Sequence, residues 1–164
     1  MSKSLSIRRV CLPAKHPSIA QSLCGQGELT RDLGYPAQAQ DNLDEAFRLR
    51  AKRYAEGRRW ANHRDLIQSL ASLACNAKQR GMYQEAHGLY KAALDKVHAL
   101  FPARLTEHHI YVQELQLQYA EVLIYLNDLE GAQARLSSSG QAIEGILGSN
   151  HIMVADSLSL FGRV

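Results

Sequence analysis

The chain has 164 residues, enough for one hydrophobic core, and its 46% apolar and 21% charged residues are ordinary for a globular protein. The formal net charge of +3 is too small to point to nucleic acid by itself. No apolar run approaches the about 20 residues that span a bilayer, and the stretch opening Met1-Ser2-Lys3-Ser4-Leu5 lacks the long apolar region and small-residue cleavage site expected of a secretory signal.

Taken in chain order, Ser4 to Leu12 reads as the tail of an amphipathic helix running into His16-Pro17. Pro17 suits a first helical turn, Gly34 a helix stop, and Pro36 the start of a partner helix. His63 to Phe101 reads as two helices joined by a tight turn. Leu66, Ile67, Leu70, Leu73, Ala74 and Ala77 share one face of the first, and Gly81-Met82 breaks the pattern. Tyr83, Ala86, Tyr90, Ala93, Leu94 and Val97 then form a second stripe with the same period. His108 or His109 opens a weaker copy with Val112, Tyr119, Ala120 and Leu123 inside. Expected N-caps are Thr106 or Glu107 for the third pair, and Ser149 or Asn150 for the last helix.

These pieces repeat. His16-Pro17-Ser18-Ile19-Ala20-Gln21-Ser22-Leu23 matches the segment opening at His63 and the one opening at His151. Gly34, Gly81 and Asn127 fall at equivalent places, each followed five residues later by an alanine: Ala39, Ala86, Ala132. Gly27, Ala74, Ala120 and Gly162 hold a small residue in register inside the first helices, where a larger side chain would push paired helices apart. Self-similarity at this period means stacked two-helix units. The expected organisation is one array over 1–164: a trailing helix in 1–15, repeats at 16–62, 63–107 and 108–150, and a first helix at 151–164. Leu5, Ile7, Leu158 and Phe161 are expected to leave apolar surface at the two ends. That suggests a segment of a longer array, or a unit that stacks end to end.

The pattern resembles the tetratricopeptide (TPR) repeat in the longer variety of kinesin light chains. The residues at 63–94 and Ala142-Ile143-Glu144-Gly145-Ile146-Leu147-Gly148-Ser149-Asn150-His151 carry the likeness best. The resemblance implies an all-α fold, a right-handed α-α superhelix of antiparallel helix hairpins. It also implies that the first helix of each pair lines a concave groove. Carried onto this chain, that face holds Gln21, Cys24, Glu28 and Arg31, then Gln68, Ala71, Cys75 and Lys78, then Glu114, Leu117, Glu121, Ile124 and Tyr125. Glu28, Arg31, Gln68, Lys78, Glu114, Leu117, Glu121 and Tyr125 are the expected peptide-binding residues. Where light-chain repeats commonly place asparagines to hold a ligand's backbone, this chain has Gly25, Ser72 and Gln118.

Charge patterning adds two features. Glu107, Glu114, Glu121 and Asp128 recur every seven residues in a span without Lys or Arg, so Glu107, Glu114 and Glu121 share a helical stripe. A groove with carboxylates beside Leu117, Ile124 and Tyr125 suits an extended ligand with basic and apolar side chains, while solvated glutamates are the plain alternative. From Arg48 to Arg64 the chain is strongly basic, with Tyr54 and Trp60 interleaved. Nucleic acid or an acidic partner is one reading; the favoured one is a solvated outer helix face in which Asp44 and Glu45 pair with Arg48.

No catalytic, metal-binding or cofactor-binding constellation emerges. Gly25-Gln26-Gly27 lacks the third glycine of a dinucleotide loop, and no Cys/His cluster has ligand spacing. The histidines at repeat starts read as turn closers or helix caps. The cysteines, Cys11, Cys24 and Cys75, form no CxxC pair and are odd in number, which fits a reducing, cytoplasmic setting. The expected function is a non-catalytic scaffold that binds a peptide or partner protein. The alternative is a self-assembly or subunit-docking module using the end helices or the basic 48–64 segment.

Overall fold

A computed structural model describes residues 3–55, 63–100, 102 and 109–164. The described residues form eight α-helices and no strand: α1 (Lys3–Cys11), α2 (Pro17–Asp32), α3 (Pro36–Ala55), α4 (His63–Gln79), α5 (Tyr83–Leu100), α6 (Ile110–Tyr125), α7 (Leu129–Leu147) and α8 (Ile152–Phe161). The helices group into two compact units, Met1–Met82 and Tyr83–Val164.

In the first unit α2 and α3 form an antiparallel pair, with α1 and α4 packed against α2 and α3 against α4. The hairpin depends on how α2 stops. Gly34 takes φ +90°, its N–H donates to Arg31 O, and the Tyr35 N–H reaches back to Thr30 O. These two bonds close the free carbonyls of the last turn in a Schellman motif, which needs a left-handed residue at this position. Gly81 repeats the motif after α4, at φ +74°, with bonds to Lys78 O and from Met82 to Ala77 O.

Close packing follows from small residues. Ala39 and Ala46 of α3 are fully buried, and a Cβ added at Gly27 would lie 2.6 Å from Leu43 Cδ2. Glycine lets α2 meet α3 here without displacing the Leu43 side chain. The apolar face expected on α4, from Leu66 to Ala77, is buried throughout.

Polar bonds between helices were not visible in the sequence. Arg8 of α1 donates through Nη1 to Ser18 O and Ser22 Oγ of α2. Arg50 of α3 repeats the arrangement on α4, donating to Asp65 O and Ser69 Oγ. In each case an arginine of one helix ties the first turns of the next. Asn76 is fully buried and donates to Gln40 Oε1, which also accepts from Arg80.

In the second unit α6 and α7 form the antiparallel pair, with α5 against α6 and α8 against both α6 and α7. Asn127 stands where the first unit has glycine. Its φ is +61°, and it makes the same two bonds, to Ile124 O and from Asp128 to Leu123 O. Asparagine tolerates the left-handed region better than other side chains. Asp128 then caps α7, accepting from the Gly131 N–H at 3.0 Å. Ala86 and Ala132 are fully buried, as are Tyr90, Ala93 and Ala120. Leu117, Ala120, Leu136, Ile143 and Val154 make one apolar cluster across α6, α7 and α8.

Histidines mark helix starts: His63 is the first residue of α4, and three others are N-caps among the described residues. His16 and His151 accept through Nδ1 from Ser18 N and Met153 N, each at 3.2 Å. His109 is the N-cap of α6 but makes no side-chain cap bond. The last helix is thus capped by His151, not by Ser149 or Asn150. Thr106, Glu107 and His108 lie outside the described residues.

Several expectations need correcting. Leu5 is not an exposed end residue; it is 1% exposed, held in place as α1 packs on α2. Ile7, Leu158 and Phe161 are exposed as expected. Gly162 is the exposed C-cap of α8, not a small residue between helices. Arg50 is not on a solvated face, because it reaches inward to α4. Arg48 bonds to the Asp44 carbonyl, while Glu45 pairs with Arg9 at 2.7 Å. Tyr54 belongs to α3, and its side chain and residues 56–62, including Trp60, lie outside what is described.

Candidate functional site

Five of the eight expected binding residues fall into two clefts, one in each unit. In the second unit α6 presents Glu114, Leu117, Gln118 and Glu121 at spacings of three and four residues, which is one helical face. Opposite them α8 presents Met153, Asp156, Ser159 and Leu160. Together they enclose a cleft of about 350 Å³. Its apolar wall is Leu117, buried in the α6–α8 cluster, with Met153 and Leu160 packed at its edge. Its rim carries the carboxylates of Glu114, Glu121 and Asp156, and the described residues lining it include no Lys, Arg or His. Gln118 holds Glu114 at 3.3 Å through Nε2, and its own oxygen accepts from Tyr90 OH at 3.2 Å.

Tyr125 does not line this cleft. It stacks on Tyr83 with centroids 4.5 Å apart, and the Arg163 guanidinium lies 5.3 Å from its ring centre. The opposite face of α6 lines a different cleft of about 460 Å³, shared with α7 and the end of α5. There Arg135 lies 4.3 Å over the Tyr119 ring and donates to Gln116 Oε1, and the Tyr119 hydroxyl meets His87 Nδ1 at 3.1 Å. Burial raises the Tyr119 pKa, so the phenol stays protonated.

In the first unit α2 supplies Pro17, Ser18, Gln21, Cys24, Gly25 and Glu28, and α4 supplies Asp65 and Gln68. With Arg50 of α3 they line a cleft of about 470 Å³. Glu28 is half-buried, and its Oε1 accepts from Ser72 Oγ of α4 at 2.5 Å and from the Cys24 thiol at 3.4 Å. The carboxylate therefore also joins α2 to α4. Burial, then the Glu28 charge, raises the Cys24 pKa, which makes this thiol a poor nucleophile.

Arg31 and Lys78 do not line the cleft. Arg31 is engaged by Asp32, with Nη2 2.8 Å and Nε 2.9 Å from Oδ1. Gly25, Ser72 and Gln118, at the expected asparagine places, differ in role. Gly25 is open, Ser72 is taken up by Glu28, and Gln118 bridges Tyr90 and Glu114.

The structure thus brings together Glu28 with Gln68, and Glu114 with Leu117 and Glu121. Asp156 and Ser159 were missed, although the repeat contained them. The step from His16 to His151 carries Gln21 onto Asp156 and Cys24 onto Ser159. Arg50 carried no such signal, since it comes from a second helix.

No protein-family model matches the chain, and no curated protein matches it. Solved structures do. BtubC (BKLC) from P. vanneervenii superposes with a TM-score of 0.73 at 18% identity, over 94% of this chain and 59% of that one. The crystal structure of the putative kinesin light chain nearly identical TPR-like repeats of Podosopora anserina gives 0.74 at 19% identity, over 97% and 71%. The chain spans 59% of the length of BtubC. At these identities the likeness concerns the fold, which is a TPR-like helical repeat.

Proposed function

We propose that the chain is a non-catalytic interaction scaffold whose first-helix faces bind a peptide or partner protein. We read it as one array with the repeat boundaries given above, acting in the cytoplasm. The observation that carries this reading is the second-unit cleft. Glu114, Leu117 and Glu121 converge there with Asp156, Met153 and Leu160, putting carboxylates beside an apolar wall with no cation among the described lining residues. Such a surface favours an extended ligand in which a Lys or Arg neighbours an apolar side chain.

Fluorescence anisotropy with labelled short peptides of basic-apolar, acidic-apolar and neutral-apolar composition tests this. The basic-apolar pool should bind, and Glu114→Lys with Glu121→Lys should weaken it at least about tenfold while leaving the melting temperature near wild type. Equal binding of all pools, or binding unaffected by the reversal, rejects the reading.

The second reading is subunit docking. It is favoured by Ile152 and Leu158 of α8, 68% and 67% exposed, with Phe161 nearby. Sedimentation at several concentrations separates the two: association abolished by Leu158→Glu and Phe161→Glu supports docking.

A further inference from the structure

Two helices show the same seam of the repeat from opposite sides. α8 matches the opening of α2 and α4 in the step from His16 and His63 to His151. Val154 and Ser157 are buried in α8, as their counterparts Leu66 and Ser69 are in α4. Ala155, Leu158 and Gly162 lie on an adjoining face at helical spacing and are exposed. Their counterparts Ala20, Leu23 and Gly27 are buried in α2, and Ile67, Leu70 and Ala74 are buried in α4. In the α2–α3 hairpin this face receives the second helix, because a Cβ at Gly27 would run into Leu43 and come within 3.4 Å of Ala39 O. Leu158 is 67% exposed where Leu23 is 0% and Leu70 4% exposed. α8 is therefore a first helix whose seam for a second helix is open.

α1 is the converse. Its register follows from the arginine clasp, since Arg8 donates to Ser18 O and Ser22 Oγ as Arg50 donates to the matching Asp65 O and Ser69 Oγ. That makes α1 a second helix, with Leu5 in the place of Phe47, Ser4 in that of Ala46 and Ile7 in that of Leu49. Leu5 is buried as α1 packs on α2. Ser4 is exposed where Ala46 is fully buried, and Ile7 is 53% exposed. Ala46 lies one turn from Leu43 on the face of α3 turned to α2, so the matching side of α1 is open to a first helix.

The two faces are complementary. α8 matches the beginning of a first helix and α1 the end of a second, and an antiparallel pair sets these halves side by side. Counting from Gly27 opposite Leu43, Leu23 stands level with Ala46, and Ala20 with Leu49. Carried over, Leu158 stands level with Ser4, and Ala155 with Ile7. A large side chain faces a small one at each step, which lets helices approach closely.

We propose that these faces meet between copies: α8 of one chain packs antiparallel on α1 of the next and completes a hairpin across a head-to-tail junction. The inference rests on the docking reading above and names the occupant of the α8 face, a second copy of this chain. Such a contact is heterologous, so every complex keeps one open α8 and one open α1.

Sedimentation velocity of the full chain from about 10 μM to about 1 mM tests it. Wild type should form a concentration-dependent series that grows past the dimer. Ile7→Glu and Leu158→Glu each spoil one end at an exposed position, and circular dichroism should show both as helical as wild type. Alone, each should stay monomeric. Mixed in equal amounts, they should give a one-to-one dimer that grows no further, because one supplies an intact α8 and the other an intact α1. A wild type that stays monomeric throughout overturns both the docking reading and the proposal. A mixture that stays monomeric, or association by Leu158→Glu alone, overturns the proposal. If Ile7→Glu alone still dimerises while Leu158→Glu does not, the head-to-tail pairing is overturned but docking through α8 stands.

Discussion

Two glycines two residues apart in α2 should respond to the same substitution with opposite signs. Gly25 is exposed, with nothing within 4 Å of an added Cβ. Alanine there restricts the unfolded chain and favours helix, for a gain of about 0.5–1 kcal/mol. Alanine at Gly27 makes the same helical gain but sets a methyl 2.6 Å from Leu43 Cδ2 and 2.7 Å from Leu43 Cγ. Leu43 is 1% exposed and cannot swing into solvent. Overpacking of this kind costs about 1–3 kcal/mol, leaving a net loss of about 1 kcal/mol. The two variants should therefore differ by about 2 kcal/mol, or about 4–8 °C in melting temperature for a chain of this length. Far-ultraviolet circular dichroism would place Gly25→Ala above wild type and Gly27→Ala below it. Leu43→Ala supplies the control: alone it opens a cavity costing about 2–5 kcal/mol, and combined with Gly27→Ala it should cost less than the sum. If Gly27→Ala melts at or above wild type, close approach to Leu43 is not what holds a glycine there.

Other consequences can be checked in the same way. Ala74 is fully buried, so Ala74→Arg should cost at least about 3 kcal/mol by burying charge and bulk; a melting temperature within a few degrees of wild type would reject its placement. Asn127→Gly should stabilise by about 0.5–1 kcal/mol by relieving a left-handed residue, as judged by urea midpoint, whereas a lower midpoint would mean the asparagine side chain contributes a bond of its own. Cys11 is exposed and Cys24 buried, so Ellman's reagent at mildly alkaline pH should modify Cys11 promptly and Cys24 only on unfolding. Because the Cys24 pKa is raised by burial, its contribution to stability is full below the ordinary thiol value and declines as pH rises from there; a urea midpoint rising in that range would contradict the burial.

The candidate site was only partly legible beforehand. The α6 face with Glu114, Leu117 and Glu121 followed from helical spacing plus a family likeness, and the structure joins these residues in one cleft. Arg31, Lys78 and Tyr125 satisfied the same spacing but stand outside the two clefts. Spacing fixes direction around a helix axis, not what the neighbouring helix offers at that height. Arg31 is engaged by its own neighbour Asp32, and Tyr125 by the Tyr83 ring.

What the sequence alone determined is local. Gly34, Gly81 and Asn127 end helices because backbone sterics admit few residues at positive φ, and His16 and His151 cap them through atoms two residues away. The alanines that follow each turn are buried because helical periodicity places them inward. What only the tertiary structure decided is which distant groups meet: Leu5 under cover, Arg50 on Ser69, Glu28 on Ser72 and Glu45 on Arg9. Each joins residues on different helices, and their meeting depends on the angle and height at which whole helices pack. Those are properties of the assembled core, written in no single stretch of the chain.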